Sequence, residues 1–96
     1  MMKINELKAG TGNVNVSGEI VSKDEARDVI TKFGKKLRVA SATLKDDSGE
    51  IVLSLWNEDA DKYAVGDNVT IENGWVSELK GNPQISAGKF GKIQKV

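Results

Sequence analysis

Short alternations of apolar and polar residues run through most of this chain, each bounded by turn-forming residues. The pattern predicts strands, because successive side chains of a strand point to opposite faces. In Ile51-Val52-Leu53-Ser54-Leu55-Trp56, the triplet Ile51, Leu53 and Leu55 takes one face and Val52, Ser54 and Trp56 the other. With the triplet turned to a core, Trp56 points to solvent. Val14 to Val21 alternates as well, with Val14, Val16 and Ile20 inward. Mid-strand Gly18 predicts the sharp bend that small barrels need for closure. Leu37 to Leu44 is the regular part of a second strand, and Ser22 to Lys36 before it reads as a long loop or as that strand's ragged first half. Asp46-Asp47-Ser48-Gly49 is a turn signal that joins the second and third strands as a hairpin.

Asn57 is placed to cap a short helix running to Tyr63, with Glu58, Asp59 and Asp61 in its first turns, where the helix dipole favours acids. Val65-Gly66-Asp67-Asn68 turns the chain into a fourth strand, Val69 to about Leu79. Val69 and Ile71 mark its core face, and a bulge at Asn73-Gly74 shifts the phase by one and turns Trp75 outward. Lys80-Gly81-Asn82-Pro83 is a tight connection in which the only proline interrupts no ladder. It leads to a fifth strand around Gln84-Ile85-Ser86. Ile4 and Leu7 are spaced to tuck under a barrel, and Ile93 and Val96 to close it. Five strands with one short helix between the third and fourth are the order of an OB-fold. The expected architecture is all-β: a five-stranded Greek-key barrel forming one domain over residues 1–96.

The residue types present restrict the chemistry. Cysteine and histidine are both absent, which removes disulfides, thiolate metal sites, the commonest general base and the commonest zinc ligand. No cofactor, no metal and no enzymatic activity are expected. No apolar run approaches the roughly 18–20 residues of a membrane helix, so no membrane partner is expected and a cytoplasmic, nucleoid-associated location is. Net charge is zero. Its distribution along the chain is uneven: Lys23 to Lys45 is net basic, Asp46 to Glu78 strongly acidic, and Leu79 to Val96 carries lysines and no acid. In an OB-fold the groove over strands two and three is bordered by the loops joining strands one to two and four to five. The basic blocks fall largely on those two loops.

Outward indoles beside polar residues make flat surfaces on which bases or sugars stack. Either Trp56 or Trp75 alone also fits a barrel-end cap. The pair, at matching strand positions, points to a site. Lys32, Lys36 and Arg38 on one side and Lys80 and Lys89 on the other are the candidate phosphate contacts. Arg27 has Asp24, Glu25 and Asp28 as competing partners. Phe33, next to Gly34 at a loop tip, is either an additional stacking ring or a loop anchor. Gln84 and Ser86 complete the candidate surface on the fifth strand.

Val14-Asn15-Val16, Glu25-Ala26-Arg27, Thr31-Lys32, Asp47-Ser48-Gly49, Leu55-Trp56, Gly66-Asp67, Ile71-Glu72-Asn73 and Lys80-Gly81, in that order and spacing, resemble the archaeal single-stranded DNA-binding proteins with one OB-fold. These are relatives of the OB modules of replication protein A. The resemblance runs from about Lys3 to Lys95. It implies sequence-tolerant binding of single-stranded DNA, in replication, recombination and repair, with proteins of those processes as further partners. RNA and a purely protein partner are the alternatives. The family's stacking aromatics fall on Trp56, Trp75 and position 79, where Leu79 replaces the usual phenylalanine and offers no π face. Some relatives carry an aromatic where Ser86 stands and a basic residue where Lys89 stands.

Overall fold

The computed structural model describes residues 2–79, 81–87 and 91–96, with the side chain of Leu79 outside that set. Strands β1 (Val14–Lys23), β2 (Arg27–Ile30), β3 (Lys36–Lys45) and β4 (Glu50–Trp56) come first. A short helix α1 (Asp59–Lys62) follows, then β5 (Asn68–Leu79), β6 (Asn82–Ser86) and β7 (Lys92–Lys95). One sheet closes on itself in the order β1-β3-β4-β6-β5, with β1 pairing β5 to complete the ring. The β4–β6 contact is parallel and the other pairings antiparallel. That ring is the expected OB barrel. β2 extends it at one end of β3, and β7 adds to the edge of β5.

The inward positions follow the alternation of the sequence. Val14, Val16, Ile20, Leu44, Leu53, Leu55, Val69, Ile71, Val76 and Ile85 are sealed inside, and Ile4 and Leu7 close one end. Tyr63 fills the region beneath α1, and its hydroxyl donates to the Ile93 carbonyl at 2.8 Å. Gly18 lies where β1 passes from β5 to β3, opposite Val69 and one residue before the Glu19–Lys45 pair. A β-carbon there would come within 2.5 Å of the Lys45 carbonyl oxygen, so the bend needs a residue without one.

Several local expectations change. Ser22 to Lys36 is mostly an ordered ribbon: β2 pairs β3 from Arg27–Val39 to Ile30–Lys36. Its tip is closed by Thr31 N–H to Lys35 and Gly34 N–H to Thr31, both 2.9 Å, with Gly34 at φ 80°. This is a three-residue hairpin loop with glycine in the left-handed position. Asn57 does not cap α1. It sits at φ 55°, donates its N–H to the Arg38 carbonyl at 2.6 Å, and accepts from Arg38 N–H at 3.3 Å, so it extends the β3–β4 ladder. Pro83 lies inside β6 opposite Glu78, and is tolerated there because pairing with β4 begins only at Gln84. Ile93 is buried as expected, but Val96 is 82% exposed and contributes only its N–H, to Asn68.

The β3–β4 turn is tied to the N-terminal segment through Asp46. Its carboxylate accepts from Ile4 N–H at 2.9 Å, Ser48 N–H at 2.7 Å, the Ser48 hydroxyl at 2.6 Å and Gly49 N–H at 3.1 Å. Partial burial pushes its pKa up, but these four donors outweigh it and hold the group at about 2, below its usual 3.8. A depressed carboxylate stabilises the fold above its unfolded pKa and loses that contribution as pH falls through the folded one. Asp46→Ala is therefore expected to lower unfolding free energy by about 1–2 kcal/mol at pH 7. The deficit should shrink from pH 4 towards pH 2, which denaturant titrations at the two ends of that range measure.

Candidate nucleic-acid interface

The bulge in β5 sets the direction of Trp75. Val16 pairs with Ile71 but Val14 with Gly74, so β5 carries an extra residue there, with Asn73 at φ 55°. Before the bulge Val69 and Ile71 are buried; after it Gly74 and Val76 are. Trp75 is left on the outside, 49% exposed, and Trp56 on β4 is 40% exposed. The backbone of Gly12 lies against the benzo edge of Trp75, close enough that a β-carbon would sit 3.0 Å from Cε3. The neighbouring segment is pinned to β5 by Gly10 N–H to Val76 O, 2.7 Å, and Val76 N–H to Thr11 O, 2.8 Å.

Register lays out the outer surface around the two rings. Ser41 pairs with Ser54, Ser54 with Ser86, and Ser86 with Trp75. The next row runs Thr43, Val52, Gln84 and Ser77. The floor is thus made of small, mostly hydroxyl-bearing side chains, with Ser54 only 5% exposed at its centre. Trp56 pairs with Val39, which is 6% exposed yet lies outside the interior cluster. Val39 is an outward residue covered by its neighbours.

The same register sorts the cations. Arg27 pairs with Val39 and so shares the outer face with Trp56. No ion pair holds it among the described residues. Arg38, one residue before Val39, turns the other way, towards α1. Its Nε lies 2.8 Å from the Asp61 carboxylate, its Nη2 donates to Asp61 at 3.1 Å, and Asp28 stands 3.9 Å away. The hydrogen bond and charge of Asp61 raise the Arg38 pKa against desolvation, with a lesser contribution from the charge of Asp28. Lys36 is also on that side, 3.5 Å from Asp28. The structure therefore does not bring Lys36 and Arg38 to the Trp56 face, and it does bring Arg27 there. Counting charges along the chain does not separate these cases; the Arg27–Val39 pairing does.

Lys32 and Phe33 occupy the ribbon tip, the ammonium 5.4 Å from the ring centroid and the ring 86% exposed. Phe33 is not folded back onto the barrel. Gln84 and Ser86 are half-buried on the floor. Lys80 and Lys89 lie outside the described residues, as does the side chain of Leu79, whose backbone pairs with Asn82. In the second basic block Lys92 and Lys95 are engaged by Glu72 at 3.7 Å and Asp67 at 3.5 Å. Among the described residues no helix is long and apolar enough to cross a membrane.

Comparison with known proteins bears on this barrel as a whole. The family model described as single-stranded DNA binding protein Ssb-like, OB fold, matches residues 7–95. Single-stranded DNA binding protein Ssb of Saccharolobus solfataricus is 35% identical over 91 residues, 95% of this chain and 61% of that protein. Replication factor A of Methanothermobacter thermautotrophicus is 34% identical over 92 residues, 95% of this chain and 12% of that protein. The chain thus spans only part of either relative's length. The solution structure of the second OB-fold domain of replication protein A from Methanococcus maripaludis superposes with a TM-score of 0.82 at 30% identity. That match covers 99% of this chain and 93% of that one. The chain belongs to the Ssb-like family of single-stranded DNA binding proteins with an OB fold.

Proposed function

We propose that this domain binds single-stranded DNA with little sequence preference, stacking bases on Trp56 and Trp75 and holding phosphates with Arg27 and Lys32. Lys80 and Lys89 join them in this reading, and Phe33 is a further stacking ring at the ribbon tip. The observation that carries it is the pair of outward indoles on either side of a small-residue floor. Every base presents a ring and every nucleotide a phosphate, so flat faces and distributed cations accept any sequence. Ser and Gln side chains on the floor both donate and accept, and so select no base. Duplex is a poor ligand, because paired bases reach an indole only at the cost of unstacking. The domain is a binding module and not an enzyme, and in this reading it works alongside proteins of replication, recombination and repair.

A fluorescence titration with oligothymidine at two salt concentrations tests this reading. Stacking quenches tryptophan emission, and four neutralised phosphates give a slope of log affinity against log salt of about −2.8. Arg27→Ala should flatten that slope by about 0.7. Lys36→Ala should leave it nearly unchanged. Emission indifferent to the oligonucleotide, with salt-independent affinity, would end the proposal.

A further inference from the structure

Register also sets how far apart the α-carbons of the two tryptophans stand. Trp75 pairs with Ser86 and Ser86 with Ser54, which lies two residues before Trp56 on β4. Two strand spacings of about 4.8 Å across and two residues of about 3.4 Å along place the two α-carbons about 12 Å apart. Stacked neighbours in a nucleic-acid strand are about 3.4 Å apart, and an extended, unstacked strand reaches about twice that per nucleotide. One extended step falls about 5 Å short of the spacing, whereas two steps match it.

What lies between the rings suits a nucleotide that stacks on neither. Ser54 and Ser86 are adjacent there, and neither reaches far above the sheet. Their neighbours along the two strands, Val52 and Gln84, are paired in the next row. Among the described residues no aromatic ring stands between Trp56 and Trp75 on this path, so an intervening base meets the half-buried Ser86, with Ser54, only 5% exposed, beside it; each hydroxyl can serve as donor or acceptor.

We propose that the indoles take bases n and n+2, and that the nucleotide between them lies over Ser54 and Ser86. The inference rests on the stacking role given to the two tryptophans above, and adds the spacing and the middle subsite. It makes the binding unit a three-nucleotide step in which only the outer bases stack. The middle base contributes through hydrogen bonds to the hydroxyl shelf.

Strands of constant length test it, each carrying two thymines in an otherwise abasic backbone, so that the number of phosphates never changes. The thymines are adjacent, separated by one abasic position, or separated by two. The one-gap strand should bind tightest, by about fivefold or more over the adjacent pair, since only it seats both bases. Filling the gap with a third thymine should improve affinity several-fold. The Ser54→Ala, Ser86→Ala double variant should abolish that gain while keeping the one-gap preference. If it does not fold, Ser86→Ala alone carries the same comparison. Equal or tighter binding of the adjacent pair overturns the spacing, and a gain that survives the serine variant overturns the shelf. The underlying stacking role fails by a different result: Trp56→Ala and Trp75→Ala leaving the affinity of every strand unchanged.

Discussion

Replacing Trp56 and Trp75 together with alanine should lower affinity for a short oligothymidine by about 2–6 kcal/mol, the sum of two base–indole stacks. The folded state should survive. Both rings are close to half-exposed, and neither belongs to the interior cluster. The cross-strand partner of Trp56 is Val39, on the outer face and outside the interior cluster. Each single variant should lose about 1–3 kcal/mol, and the two losses should add to within about 0.5 kcal/mol because the rings share no contact at this separation. Isothermal titration of the three variants, with thermal unfolding alongside, makes the measurement. A loss confined to one variant would make the other ring a barrel-end cap. Unfolding of either single variant would mean that the ring supports the core after all.

The parts of this fold that were legible in the sequence are those with one buried face. Ile51, Leu53 and Leu55 could only be inward together, and this sent Trp56 outward. The bulge at Asn73-Gly74 was readable because Val69 and Ile71 mark the core face and the Asn-Gly pair before Trp75 is where an inserted residue shifts the phase by one. The ribbon over Arg27–Lys36 was not readable. It lies beyond the barrel, with Asp28, Ile30 and Lys36 exposed, so no core face imposes a period on it. Its register with β3 was hidden for the same reason, and with it the sorting of Arg27 to the Trp56 face and Arg38 to Asp61. Asn57 carries an ordinary cap signal, but its side chain is taken by Arg38 N–H across the hairpin. That partner is nineteen residues away in sequence, beyond any local rule.

Gly18→Ala should destabilise the barrel by about 2–4 kcal/mol, far more than an average surface substitution. The added methyl would lie 2.5 Å from the Lys45 carbonyl oxygen and 3.1 Å from Leu44 Cγ. Leu44 can adjust its rotamer, whereas the Lys45 backbone cannot easily withdraw. Lys45 is paired with Glu19 on one side and with Glu50 on the other, so moving it strains two ladders at once. Gly49→Ala, four residues along in the adjoining turn, is the matched control. A β-carbon there meets nothing within 4 Å, and its cost should stay within about 0.5 kcal/mol. Paired denaturant midpoints for the two variants separate steric conflict from the general effect of removing a glycine. Equal midpoints would show that β1 slides past β3 at little cost. A destabilised Gly18→Ala chain that still folds should also bind oligothymidine less well, since β3 carries Val39 and Ser41 on the outer face beside Trp56 and Ser54. Closure of the barrel and the shape of its outer face therefore depend on the same close approach of two backbones.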